Sequence, residues 1–247
     1  MAATTMRTAT GWASLIYAVQ AVVLMVVLIG TARVVALPIE AGFSDGERMT
    51  TTSLGAVDLG WALVAVLLGG AAAHALAAAG VRPGAARSGA APAEAARPGA
   101  LVVAGWSQGL GILIFLIARL NGIADPVALI PLFALGAGCV CLLGIDDGSS
   151  PRRRRPAAWA AVLGIVPWGV IALAQIGATI TSGAPAPGVR VVTIAALAVA
   201  AIGWWIAWRR PRAARPSDVA VMTVALSVLT WAIVVLVVLG HPSHENG

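Results

Sequence analysis

The chain alternates between long apolar runs and short polar connections. Seven runs are long enough to cross a hydrocarbon layer, at approximately 11–32, 54–80, 99–120, 126–145, 156–181, 189–208 and 218–240. A helical crossing takes about 20 mostly apolar residues. The runs are continuous and lack a two-residue polar alternation, which predicts helices rather than barrel strands. Pro126 and Pro156 fall at first-turn positions, where the missing N–H costs nothing. Pro216-Ser217-Asp218 offers a break and N-capping residues before the last run. Pro131 and Pro167 lie inside runs and predict kinks. The first run outlasts the short apolar core of a signal peptide and contains Tyr17 and Gln20, so it reads as a retained helix. Gly80–Pro98, rich in Ala, Pro, Gly and Arg, reads as a flexible connection, and Ala36–Ser53 as the longest outer loop, partly ordered. No second domain is expected. Residues 1–247 read as one all-α membrane domain, a seven-helix transmembrane bundle.

Composition agrees with this pattern and excludes a soluble fold. Of 247 residues 60% are hydrophobic and 11% charged, with a mean hydropathy of +0.92. A soluble domain carries about 25% charged residues to solvate its surface. The net charge is +6, and all 16 basic residues are Arg. They sit in the connections, so lipid headgroups of a bilayer are the expected partner and nucleic acid is not. Their distribution sets an orientation. With the N-terminus inside, Arg7, Arg82, Arg87, Arg97, Arg152 to Arg155, Arg209, Arg210, Arg212 and Arg215 are cytoplasmic. Arg33, Arg48, Arg119 and Arg190 are outside, with Glu40, Asp45 and Glu47. The positive-inside rule favours that arrangement, which places the tail His241–Gly247 outside. The Lys-free, Ala- and Arg-rich usage points to a bacterial cell membrane. Cys139 and Cys141 face different sides of one helix, which predicts two free thiols.

Ionisable groups are costly in lipid and therefore informative. Asp58, Asp125, Asp146, Asp147 and Asp218 lie at span ends or in connections. Deep within the spans stands His74, with Tyr17, Gln20, Gln108 and Gln175 as polar companions. Counting along each helix puts Tyr17, His74, Gln108 and position 226 roughly 9–14 Å below the inner boundary, in one layer. That layer reads either as a polar cavity or as interhelical hydrogen bonding with no further role. No carboxylate relay crosses the spans, which argues against a proton pump. Metal-ligand Cys/His spacing, a GxxxxGK[ST] loop, a GxSxG elbow and an HExxH helix are absent from the sequence. Gly105-x-x-x-Gly109 fits a helix-packing pattern, and Trp204-Trp205-x-x-Trp208-Arg209-Arg210 fits an interfacial aromatic belt.

Several segments, in order, resemble the heliorhodopsins, whose seven spans start from a cytoplasmic N-terminus. Met6-Arg7 and Leu15-Ile16-Tyr17-Ala18-Val19-Gln20 are similar to the family's LR and LLHxxQ, with Tyr17 in place of His. His74 matches the family's helix 2 His. Gly105-Trp106-Ser107-Gln108 is similar to the start of RWIEYS: Trp106 is kept, Gly105 replaces the Arg and Gln108 the counter-ion Glu. Gly122-Ile123-Ala124-Asp125 is similar to GIxD, Gly164 to Trp168 to GxxPW, and Pro187-Gly188-Val189 to the PPGFV entry of helix 6. Helix 7 departs. Where the family has AKSLLAW this chain reads Ala225-Leu226-Ser227-Val228-Leu229-Thr230-Trp231, with Leu226 at the lysine of the retinal Schiff base.

A Schiff base needs a primary amine, and no side chain of this sequence supplies one. Covalent retinal is therefore excluded as a cofactor, and a non-covalent retinoid or carotenoid stays open. Loss of the counter-ion fits loss of the amine, since a lone buried carboxylate is itself a burden. The resemblance implies a membrane sensor or regulatory scaffold with a vestigial pocket at Tyr17, Gln20, His74, Trp106, Gln108, Trp168 and Leu226. It also implies a homodimer. The Arg-rich inner loops offer a surface for a cytoplasmic protein partner. A small transporter or channel is the alternative, motivated by His74 and weakened by the missing carboxylates and inverted repeat. No nucleophile–base pair or metal set supports an enzyme.

Overall fold

The computed structural model describes residues 2–44, 46, 49–79, 100–145, 155–181, 185–209 and 216–240. They form seven helices long and apolar enough to cross a membrane. These are α1 (Ala2–Thr31), α2 (Leu59–Ala79), α3 (Ala100–Leu120), α4 (Pro126–Ile145), α5 (Arg155–Thr181), α6 (Pro187–Arg209) and α7 (Pro216–Ile233). A π-helical turn, Val234–Leu239, continues α7. Each helix packs on its neighbour in sequence, α7 returns to α1 to close the ring, and α3 also touches α5 and α6. Lipid-facing positions stay apolar, as Val26, Ile29, Val127, Leu173 and Ile180 show. The interior is equally apolar, with Leu24, Leu63, Leu116, Ile117, Leu129, Ile171 and Ile233 fully enclosed. The linker at 80–98, Asp146 and Asp147, the arginines 152–154, 210, 212 and 215, and the tail 241–247 lie outside the described residues.

The expected outer loop is a β-hairpin. Strands β1 (Ala36–Ser44) and β2 (Met49–Asp58) pair antiparallel from Ala36↔Asp58 to Ser44↔Met49. This corrects the second span, which begins at Leu59 rather than at 54. Leu54 to Val57 are apolar enough to continue the helix, but they extend instead, and Gly55 to Val57 pair with Leu37 to Ile39. Leu54 is the extra residue of a bulge between the Ile39 and Glu40 pairings, and Gly55 beside it has φ +145°. Leu37 and Ala41 turn inward and are buried. The Glu40 N–H donates to the Ala124 carbonyl at 3.1 Å, tying β1 to the α3–α4 turn. Asp58 then caps α2, its carboxylate accepting from the Trp61 N–H at 2.9 Å.

The α3–α4 turn follows directly from its residues. The Ile123 N–H bonds the Ala118 carbonyl and the Gly122 N–H the Arg119 carbonyl, a Schellman closure. It requires Gly122 at φ +85°, a region that costs most side chains strain. Asp125 then accepts from the Val127 N–H at 2.8 Å, with Pro126 as the first residue of α4. Helices α4 and α5 run through Pro131 and Pro167. The first helix starts well before residue 11, at Ala2; apart from the start of α2, and with the π-helical turn counted into the last span, the other limits agree within two residues.

Candidate functional site

Helices α1, α2, α3 and α7 bring together one polar and aromatic cluster. Tyr17 and His74 are both buried, with ring centroids 5.5 Å apart and planes 28° from parallel. Trp106 also lies 5.5 Å from His74, tilted by 54°. The imidazole of α2 thus meets two rings, one from α1 and one from α3. Gly70 lies against the Tyr17 ring, where a methyl would stand in ordinary contact at 3.4 Å. The Ser14 hydroxyl donates to the Ala71 carbonyl at 2.8 Å, joining α1 to α2 beside the stack. Gly105 lets α3 approach, since a methyl at that position would fall 2.7 Å from the Ala73 methyl. The resemblance places Arg at position 105; this packing leaves it no space.

The cluster continues along the seam between α1 and α7. The Tyr17 side chain lies beside Thr223, whose hydroxyl donates to the Val219 carbonyl at 2.7 Å. One turn further, the Gln20 amide donates to Ser227 Oγ at 2.8 Å, and Ser227 donates to the Thr223 carbonyl at 2.7 Å. Two buried atoms find no partner here, Gln20 Oε1 and His74 Nδ1. Turning the amide over would let Ser227 donate to Oε1 in place of Thr223 and would leave the amide nitrogen bare instead, so one end of this amide is without a partner either way. Below this pair a groove of about 250 Å³ opens to the lipid side, lined by Trp12, Ala13, Ile16, Ala220, Thr223 and Val224.

The other sequence-based candidates fall elsewhere. Gln108 is exposed on the outer face of α3, and its neighbour Ser107 is buried instead, donating to the Ala104 carbonyl at 2.9 Å. Residue counting along a helix gives a level for Gln108 but not its rotation about the helix axis. Trp168 on α5 and Leu226 on α7 are half-buried against the apolar core. Among the described residues Trp168 makes no ring contact with the stack. Cys139 is buried and Cys141 exposed, both as free thiols. No group of three metal-ligating side chains occurs among the described residues.

A second polar cluster, near the hairpin end, was not foreseen. Asn121 is buried at the end of α3, donating to the Ile117 carbonyl at 2.8 Å and to Thr193 Oγ1 at 2.9 Å. Its oxygen accepts from the Gln175 amide at 2.7 Å, so one residue links α3, α5 and α6. Arg119 is buried beside it, donating to the Ile123 carbonyl at 3.1 Å, with Nε unpartnered. Gln175 stands out in sequence as a polar residue within a span. Asn121 reads in sequence as an ordinary turn residue, and Thr193 as one more small residue of an apolar run.

Comparison with known families agrees with this architecture. Among curated proteins no match was found. The sequence model of the heliorhodopsins matches residues 6–237, from the start of α1 to the π-helical turn after α7. Heliorhodopsins are light-sensing membrane proteins and not a known enzyme family. With seven membrane-spanning helices and a match over nearly its whole length, the chain belongs to the heliorhodopsin family.

Proposed function

We propose that this chain is a heliorhodopsin that works without covalent retinal, as a membrane sensor or regulatory scaffold. The observation that carries the reading is chemical: the sequence holds 16 basic residues and all are Arg, so no side-chain amine is present to condense with an aldehyde. Leu226, at the position the resemblance assigns to the Schiff-base Lys, packs against the core. Tyr17, His74 and Trp106 pack ring against ring in the interior of the bundle, which supports a vestigial pocket filled by side chains. In this reading the N-terminus is cytoplasmic, the protein sits in a bacterial cell membrane as a homodimer, and its Arg-rich inner loops dock a cytoplasmic partner. An apolar ligand is held, if at all, non-covalently.

The test is a visible absorption spectrum after addition of all-trans retinal, wild type beside Leu226→Lys. Wild type is expected to show the spectrum of free retinal only, and the variant a new visible band. A red-shifted band in wild type would overturn the reading. Flux of protons or ions in liposomes would favour transport instead.

A further inference from the structure

Six of the seven helices turn large apolar side chains to the lipid, as Val26, Leu68, Ile130, Leu173, Ile194 and Val224 do. Helix α3 differs. Among its described side chains only Ala104 and Gln108 are exposed, and no large apolar one is. Gln108 is the ninth residue of a 21-residue helix, roughly 12 Å from its start, well inside a layer about 30 Å thick. Gln20, Asn121 and Gln175 each bond across to another helix, whereas the Gln108 amide meets no partner among the described residues. An unpaired amide facing hydrocarbon is unfavourable, because nothing there replaces the water it has lost. This amide can be satisfied only from outside the chain.

The surroundings of Gln108 let another helix come close. Ala104 stands one turn before it on the same face. Across the seam, Gly69 and Ala72 of α2 are exposed as well. The two helices are pressed together there: a methyl on Gly105 would fall 2.7 Å from the Ala73 methyl and 3.9 Å from the Gly69 carbonyl oxygen. A methyl on Gly69 itself would meet nothing within 4 Å. The face is therefore shallow, with one amide rising from it, and small residues of this kind allow helix backbones in lipid to approach. The amide also selects the occupant. It carries both donor and acceptor, so it is its own complement. Two copies related by a two-fold axis along the membrane normal set their amides at one level, where each donates to the other. Any other partner would have to bring a matching polar group to that same level.

We propose that the outer face of α3, with the adjoining edge of α2, is where two copies of this chain pair, the Gln108 amide of each bonding that of the other. This names the interface of the homodimer in the proposed function and rests on that reading. Full-length protein would be reconstituted into liposomes at falling protein-to-lipid ratios. Pairing would be read by energy transfer between copies labelled at Cys141, the exposed thiol of α4. Wild type is expected to pair, and Gln108→Leu to pair about tenfold more weakly, the effect of losing two interhelical hydrogen bonds. In Cys139→Ala/Cys141→Ala protein, Ala104→Cys is expected to cross-link copies through a short bis-maleimide. Leu173→Cys, on the lipid face of α5, is expected not to. Pairing unchanged by Gln108→Leu, in protein of unchanged helix content, would overturn the proposal. So would cross-linking through position 173 and not through 104. Capture of a different membrane protein at position 104, with no product between copies, would give this face to that protein and overturn it too. Dimers that join elsewhere remove this inference alone; wild type that stays monomeric at every ratio removes the homodimer of the proposed function with it.

Discussion

Two amide side chains in this bundle meet different surroundings, and their replacements should differ accordingly. Asn121 uses its nitrogen twice and its oxygen once, joining three helices. Asn121→Leu would strand Gln175 and Thr193 and is expected to lower stability by about 1–2 kcal/mol in thermal unfolding in detergent. Gln20 uses only its nitrogen, and Ser227 keeps its own donation to Thr223 without it. Gln20→Met is expected to change stability by less than about 0.5 kcal/mol in the same assay. Gln108 is a third case. Because it faces outward, Gln108→Glu added to Leu226→Lys should leave the retinal band where the single variant puts it; a shift of that band would place position 108 beside the chromophore after all. Counting residues along a helix assigns a level and not a direction. A helix in lipid is apolar on its outer and inner faces alike, so the one-sided stripe that fixes rotation in a soluble helix is missing. Tyr17 and His74 were legible because rings with polar atoms stand out in such a stretch, whereas Gln108 stood out equally and faces the other way.

Among the elements, the helix ends were the most readable and the hairpin the least. Asp58, Asp125 and Pro126 announce helix starts through capping chemistry that needs no distant partner. Gly122 and Ile123 announce an end in the same local way. Gly122→Ala would force a side chain into φ +85° and is expected to cost about 1 kcal/mol. Asp125→Ala removes the cap of α4 at a cost of about 1 kcal/mol, and both losses are readable as lowered midpoints in thermal unfolding. The hairpin escaped because its second strand ends in Leu54, Gly55, Ala56 and Val57, which hydropathy joins to α2. Pairing with residues 36–39 is a contact some twenty positions away, and no window along the sequence contains it.

At the scale of the whole molecule the seven spans were legible from length and hydropathy alone, since lipid allows little else. The bias of arginines toward one set of connections predicts the direction of insertion. An alkaline phosphatase fused after residue 247 is expected to be active, and the same enzyme fused after the α2 span inactive; the reverse pattern would invert the topology. What the pattern does not contain is the order of packing, in which α3 takes the centre and α7 closes on α1.

That closure has a consequence for synthesis. Gln20 of α1 waits for Ser227, 207 residues later, and Arg33 waits for the Leu239 carbonyl, 206 residues later, to which it donates at 2.6 Å. At about 5–20 residues per second the ribosome needs roughly 10–40 s to deliver those partners. Through that interval the Gln20 amide of α1 has yet to meet Ser227, while the Ser14 bond to the Ala71 carbonyl can already join α1 to α2.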